Sequence, residues 1–400
     1  MNAEHTQTAS GMLIEREHAV VFQTYRRIPV AIDHAKGVHI VDVDGKQYLD
    51  MLGGFAVNAL GHSHPKIVEA VEQQVRRYMH VSNVFYQEPQ VELSEKLVGA
   101  TGYPRVFFCN SGAEATEGAM KLARRFGHSR ARYDIIGFSG GFHGRTYGPL
   151  SIMDKALYKE GMGPFLPNTI VLPFNDIDAL TSRVDETTCA VMLEFIQGEG
   201  GICEVTEEFV RALWLLKEQF GFLIIADEVQ CGMGRTGDFF AFEKYGVRPD
   251  IVTIAKAIGG GLPLGAILAT DEVASLFERG MHGTTYGGNP VACVAGSAFM
   301  DEVMNGLMLH VQEIGSYLRN QLLSIQTTCP DVVRKVRGRG CMQALVLSTE
   351  SAPYVARLLE AGIIANATAG NVIRFLPPFI ISKDDVDTLH VALNNVFSST

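Results

Sequence analysis

The chain has 400 residues, 47% of them apolar and 20% charged, and a formal charge of −10. That length suits one large domain with a smaller one rather than a single small core. The mild acidity excludes the basic stripe of a nucleic-acid binder. The seven cysteines, at 109, 189, 203, 231, 293, 329 and 341, include no C-x-x-C pair. Their odd number and scatter argue against a disulfide framework or zinc knuckle and for reduced thiols in a cytoplasmic protein.

The N-terminal stretch MNAEHTQTASGMLIEREHAV has neither a cationic start nor a long apolar run, so it reads as no signal peptide. The longest uncharged stretches are rich in Gly, Pro, His, Thr and Asn and do not read as membrane spans. The first ten residues are polar and are expected to be loose. Residues 38–50 alternate apolar positions on either side of Asp44-Gly45, the pattern of a hairpin. Ile67, Val71, Val75 and Met79 recur every four residues, which predicts an amphipathic helix over 65–79 with Pro65 at its start.

Beyond residue 100 come strand-length apolar runs: Val106–Cys109, Ile135–Phe138, Ala190–Phe195, Leu223–Ala226 and Ile251–Ala255. They are apolar on both faces, as buried parallel strands are. Helical segments such as Glu207–Phe220 separate them, so the pattern is that of an α/β domain with a mainly parallel sheet. After about residue 290 the order is helix, strands at Gln343–Leu347 and Val372–Leu376, and a last helix. Val386, Leu389, Leu393 and Val396 share one face of that helix and Ser382 is its expected cap.

Ligands of open α/β sheets bind beyond the carboxyl ends of the strands. The residues that follow the apolar runs are therefore the candidates: Asn110-Ser111-Gly112-Ala113-Glu114, Ser139 to Arg145, Gln197 to Gly201, Asp227 to Gln230, and Lys256. Lys256 leaves a buried strand and enters AIGGGLPLG, where a planar group can approach the backbone closely. Burial would make its amine a nucleophile, although the lysine alone reads equally well as one that snorkels to water. Asp227 ends a strand one crossover earlier. A carboxylate there can hold a pyridinium nitrogen protonated, or simply cap a helix.

Ser111-x-x-Glu114 has the form of a capping box opening a helix over 112–126, with Gly127 as its terminator. Its small first-turn residues suit a phosphate. Phe142, in a glycine-rich turn, could stack on a flat ring or pack in the core. Arg145 suits a carboxylate or a surface ion pair. The loop HGTTYGGNP, 282–290, offers Thr284 and Thr285 as donors or is an ordinary turn. His62 and His64 are close in sequence, but no acid or cysteine ligand lies near them, so no metal site is expected.

These residues carry a resemblance. The chain resembles the class III (subgroup II) pyridoxal-phosphate aminotransferases, most closely those acting on acetylornithine, through AVNALGHSHP, NSGAEATEGAMKLAR, GFHGRTYGPLS, IQGEGG, ADEVQCGMGRTG, PDIVTIAKAIGGGLPLGA, HGTTYGGNP and VIRFLPP. The resemblance implies fold type I: a large α/β domain over 61–290 that binds pyridoxal 5′-phosphate, and a small α+β domain from 291–400 to which residues 1–60 contribute. Lys256 matches the Schiff-base lysine and Asp227 the pyridinium partner. Gln230 matches the neighbour of the phenolic oxygen and Phe142 the stacking aromatic. Ser111, Gly112 and Ala113 match the phosphate cradle, and Arg145 the carboxylate-binding arginine. Thr285 matches a phosphate ligand supplied across a homodimer, and Thr284 a substrate contact beside it. Glu199 and Arg374 match a pair in which Glu199 covers the arginine for one substrate and frees it for the α-carboxylate of glutamate.

The implied reaction is ping-pong transfer of the terminal amine of N2-acetylornithine to 2-oxoglutarate, in arginine biosynthesis. Ornithine, succinylornithine, 4-aminobutyrate, a lysine derivative or a diamine are alternative donors, including in specialised biosynthesis. Two segments depart from the family pattern, Met51-Leu52-Gly53-Gly54-Phe55 and Thr146 to Met153, and both could line the donor pocket. Two other readings are weaker. A non-catalytic pyridoxal-phosphate sensor lacks an output module. A dinucleotide oxidoreductase lacks G-x-G-x-x-G after its first strand.

Overall fold

The computed structural model describes residues 8–398. Thr8 caps the first helix, Ala9–Val20, its hydroxyl accepting from the Gly11 N–H at 3.1 Å. Of the ten residues expected to be loose, Ala9 and Ser10 are already helical, and residues 1–7 lie outside the described residues. Strands β1 (Ile32–Lys36), β2 (His39–Asp42) and β3 (Gln47–Asp50) form an antiparallel meander. β2 and β3 are the expected hairpin: Asp42 Oδ1 accepts from the N–H groups of Asp44 and Lys46 and so fixes the turn.

The helix predicted over 65–79 starts at Pro65 but ends at Arg77. Tyr78 is extended and its carbonyl accepts from the Gln74 amide, while Met79 O accepts from Asn289. Tertiary partners therefore take the chain out of the helix before its apolar period runs out.

β4 (Arg105–Cys109), β5 (Asp134–Phe138), β6 (Thr169–Leu172) and β7 (Thr188–Leu193) follow in the chain, and then a two-stranded ribbon of β8 (Ile196–Gln197) and β9 (Cys203–Glu204). With β10 (Leu223–Asp227), β11 (Ile251–Ile254) and β12 (Gly265–Ala269), the main strands make a seven-stranded sheet in the order β4-β12-β11-β10-β7-β5-β6. It is mainly parallel, as expected. Only β12 runs antiparallel to its neighbours, β11 and β4. That strand was hidden in the sequence, because its five buried residues, GAILA, directly continue the glycine-rich run.

Val333–Arg339, Met342–Leu347, Ile363–Ile364, Asn366–Thr368 and Val372–Phe375 are β13 to β17. β13, β14, β17 and β16 form a separate antiparallel sheet, while β15 joins β3 in parallel, so the two ends of the chain share one sheet. The last helix, Lys383–Ser398, is capped as expected: Ser382 Oγ accepts from the Asp385 N–H at 3.2 Å, and the Asp385 carboxylate accepts from Ser382 N–H at 2.9 Å. Among the described residues, no helix is long and apolar enough to cross a membrane.

Gly127 is not the terminator it was expected to be. The helix that opens at Gly112 runs to His128, and Gly127 is buried inside its last turn. A Cβ there would lie 2.1 Å from the Arg132 carbonyl oxygen and 2.8 Å from the Cys189 side chain on β7. The glycine serves close helix–sheet approach rather than a left-handed turn. Gly127→Ala is therefore expected to destabilise by about 1–3 kcal/mol through overpacking, read as a lower urea midpoint. An unchanged midpoint would remove this account.

Candidate active site

β10 and β11 are parallel neighbours, with Asp227 opposite Thr253. Lys256 lies three residues beyond Thr253, in a short 3-10 turn, Lys256–Gly259. Its φ of 53° is left-handed, a conformation that side chains other than glycine's adopt only where surroundings impose it. This aims the lysine back across the sheet end, where it and Asp227 line one cavity of about 460 Å³. Ser111, Gly112 and Ala113 line the opposite wall, with Phe142, Arg145 and Gln230. Five of the strand ends singled out in the sequence thus have residues in this cavity or bonded to its walls.

Asp227 is buried and fully engaged. Its Oδ1 accepts from Val229 N–H at 3.0 Å and from the Thr253 hydroxyl at 3.4 Å, and its Oδ2 meets His143 Nδ1 at 2.7 Å. Burial alone would lower the His143 pKa. The hydrogen bond and charge of Asp227, with the charge of Glu194, outweigh it and hold the imidazole above its ordinary range. Glu194 Oε1 accepts from Phe142 N–H at 2.8 Å and its Oε2 from Gly198 N–H at 3.1 Å, so it fixes the turn that carries Phe142. Burial, then the Asp227 charge, push the Glu194 carboxyl up to about 7 against the pull of His143. His143 fell within the candidate stretch Ser139 to Arg145 with no role of its own, and Glu194 was not singled out from sequence. An acid inside the apolar run VMLEF was the available signal for Glu194.

Lys256 sits below the usual lysine range, chiefly through burial and then the charge of Arg374, opposed by Glu199, Asp227 and Glu194. Arg374, on β17, is fully buried. Its Nη1 donates to Glu199 Oε1 at 2.7 Å and to Gln230 Oε1 at 3.1 Å, and its Nε to Asn366 Oδ1 at 2.9 Å. Burial would raise Glu199. The charge and hydrogen bond of Arg374, and then Lys256 and Lys155, bring it below the usual carboxylate range. Gly198 leaves the room for Gln230, because a Cβ there would lie 2.2 Å from Gln230 Oε1.

Ser111 Oγ accepts from Glu114 N–H at 3.2 Å, as the cap requires. The reciprocal bond is displaced by one residue: Glu114 Oε2 accepts from Asn110 N–H at 2.8 Å. The amides of Gly112 and Ala113 belong to the first turn, which has no intrahelical acceptors, and such a turn favours an anion. Thr284 and Thr285 do not line this cavity. Thr284 Oγ1 accepts from Asn110 Nδ2 at 3.0 Å, and Thr285 is exposed.

His62 and His64 go to separate tasks. His62 Nε2 meets Asp50 Oδ2 at 2.8 Å, while His64 precedes the helix at Pro65. Among the described residues, no group of three or more His, Cys, Asp or Glu is placed to hold a metal.

Together, a strand-end lysine, a neighbouring buried aspartate, the open first turn of a helix and a covered arginine at the carboxyl ends of the strands give the layout of an α/β enzyme site. The chain belongs to the class-III aminotransferases, whose family model matches residues 20–397. A relative from Methanocaldococcus jannaschii, named acetylornithine aminotransferase, is 44% identical over 96% of this chain and 98% of its own. The solved acetylornithine aminotransferase of Elizabethkingia anophelis is 34% identical, with a TM-score of 0.88 over 98% of this chain and 99% of its own. An ornithine aminotransferase from Toxoplasma gondii, 27% identical, superposes with a TM-score of 0.94 over 98% of this chain and 95% of its own, and its structure shows partial occupancy of PLP at the active site. The chain is an aminotransferase, and the oxidoreductase reading falls.

The His143–Asp227 pair has a pH signature. The folded pKa of His143 is raised above the ordinary 6.5, so its pairing stabilises fully below that pH and is lost as pH rises through the folded value. The urea midpoint of His143→Asn should therefore depend less on pH than the parent's from about pH 6.5 upward. Parallel curves would show that the imidazolium is not what Asp227 holds.

Proposed function

We propose that this chain is a pyridoxal 5′-phosphate-dependent aminotransferase. It transfers the terminal amine of N2-acetylornithine to 2-oxoglutarate, leaving a semialdehyde and glutamate. The observation that carries this reading is Lys256 beside buried Asp227 in a cavity walled by the first turn of the helix at Gly112. The cavity fits the cofactor in its donor set: first-turn amides and Ser111 for the phosphate, Phe142 for the ring face and Asp227 for the ring nitrogen. Its acidic and basic groups are balanced around a half-buried amine. When bound, the cofactor supplies an electron sink for the carbon that loses a proton.

This chain's residues do the remaining work. Asp227, held by three donors, would hold the cofactor's ring nitrogen protonated. Lys256, depressed below its usual range by burial, takes a proton from the donor's reacting carbon and later returns one, as base and then acid. Arg145 takes the donor's carboxylate by a bidentate contact. Glu199 keeps Arg374 covered while the donor reacts and releases it to the α-carboxylate of 2-oxoglutarate and glutamate. Gln230, bonded to Arg374 and lining the same cavity as Lys256, would hold the cofactor's phenolic oxygen and so link the two positions.

The reading includes a homodimer with shared sites, to which Thr285 brings a phosphate contact and Thr284 a substrate contact from the partner subunit. Support comes from one face. Val84, Phe85, Tyr86 and Tyr286 are exposed there, and Asn83 bonds to the carbonyls of Thr284 and Gly287. An apolar patch of that kind marks an interface. Seven free cysteines suit a cytoplasmic, reducing setting, and the donor places the enzyme in arginine biosynthesis.

Glutamate formation from 2-oxoglutarate with a panel of donors tests the reaction. N2-acetylornithine should lead ornithine, succinylornithine and 4-aminobutyrate in kcat/KM by about tenfold or more, and a different leader would reassign the donor. Lys256→Ala should lose about 10²–10⁴-fold in rate and change the yellow colour of the purified protein. Unchanged colour would remove Lys256 from the cofactor. Phe85→Glu with Tyr86→Glu should give a monomer by light scattering with activity lost. An active monomer would contradict the shared site.

A further inference from the structure

We propose that Tyr158 is a positioning residue that presents Arg145 and Lys155 together as a two-cation receptor for the donor's carboxylate. The inference rests on the reading that Arg145 binds that carboxylate. Tyr158 ends a one-turn 3-10 segment, Ala156–Tyr158, just after the stretch that departs from the family pattern. The Arg145 guanidinium carbon lies 3.5 Å from the centre of the Tyr158 ring and 5.6 Å from that of Phe142. The Lys155 ammonium lies 4.6 Å from the same Tyr158 centre and donates to its hydroxyl at 2.9 Å. The Phe142 ring meets Tyr158 edge-on, with centroids 6.2 Å apart and planes at 86°. Tyr158 is thereby fixed to the cavity wall.

Arg145 is exposed at the mouth of the cavity, and among the described residues neither it nor Lys155 has a carboxylate partner. Two like charges are thus gathered on one aromatic ring whose π-face attracts each of them. They repel one another, and among the described residues no carboxylate stands within ion-pair distance of either; Glu199 acts on Lys155 only at longer range. An arriving carboxylate relieves it and gains charge-assisted hydrogen bonds from both. Lys155 also reaches into the site electrostatically, since its charge is among those that lower Glu199. The ring limits the rotamers of two long side chains before the donor arrives, which is where a preorganised receptor gains affinity.

The test is steady-state kinetics of the holoenzyme at saturating 2-oxoglutarate. The donors are N2-acetylornithine and N-acetylputrescine, the same amine without the carboxylate. Tyr158→Leu should raise the KM for N2-acetylornithine about tenfold, with kcat within about twofold and kcat/KM for N-acetylputrescine unchanged. Tyr158→Phe keeps the ring and should shift that KM by less than about threefold. Lys155→Met should raise it in the same sense. Equal losses on both amines, an unchanged KM in Tyr158→Leu, or a Tyr158→Phe variant as poor as Tyr158→Leu would overturn the proposal. Arg145→Gln separates the two levels. If it leaves the KM for N2-acetylornithine unchanged, the carboxylate is not on Arg145 and the underlying reading fails, whatever Tyr158 does.

Discussion

The buried carboxylate of Asp227 is the constraint on which the site depends. A carboxylate at the end of a central strand is expensive to bury without partners, and this one has three: the Val229 N–H, the Thr253 hydroxyl and the His143 ring. Each partner comes from a different place: its own strand end, the adjacent strand and the glycine-rich turn after β5. Satisfying one acid therefore locks three pieces of backbone in register. The same register, Asp227 opposite Thr253, sets where Lys256 leaves the sheet. The left-handed φ of Lys256 then turns it toward the aspartate rather than along the strand.

Around that anchor His143, Arg374, Glu199 and Glu194 each have a partner. His143 answers Asp227, Arg374 answers Glu199, and Glu194 takes two backbone N–H groups. Removing one partner of a buried pair leaves its mate uncompensated, at about 3–5 kcal/mol. Arg374 is nonetheless the pair member best suited to change partners. Its Nη2 lacks a hydrogen-bond partner, and its three existing bonds go to a carboxylate and two amide oxygens rather than to the backbone. Side-chain contacts of this kind can be exchanged, whereas Asp227 is fixed by a backbone N–H, a hydroxyl and a buried ring and keeps one acceptor site open.

Much of this was legible in the residues. Both-face apolar runs gave the parallel strands because buried strands need no alternation. The strand-end rule then pointed to Lys256, Asp227 and Ser111 without side-chain geometry. What stayed illegible depended on tertiary contact. β12 carries no flanking turn of its own and merges with the glycine run. Gly127 looked like a terminator because its close contact with Arg132 and Cys189 is invisible to local pattern. His143 and Tyr158 are ordinary in sequence and acquire meaning only from the acid or the cations they meet.

One of the two segments that depart from the family pattern, Met51 to Phe55, also carries left-handed backbone beside the site. Gly53, Gly54, Phe55 and Ala56 have φ of 55°, 61°, 61° and 68°. Side chains at Phe55 and Ala56 make such a left-handed run unfavourable by roughly 1–2 kcal/mol per residue. Asp50 offsets part of that, its Oδ1 accepting from the N–H groups of Leu52 and Gly53 while His62 holds its Oδ2. The result places the Phe55 ring 5.6 Å from the Arg374 guanidinium. Strain of this kind persists only where the surroundings over-determine it. Here they do so at Arg374, which is bonded to the cavity-lining Gln230, and the Tyr158 cluster stands at Arg145 on the cavity itself. Asp227 and Lys256 sit at sheet ends held in register by the fold, whereas Phe55 and Tyr158 rest on short irregular segments. Changes in those segments can therefore alter the surroundings of Arg374 and Arg145 without disturbing Asp227 and Lys256.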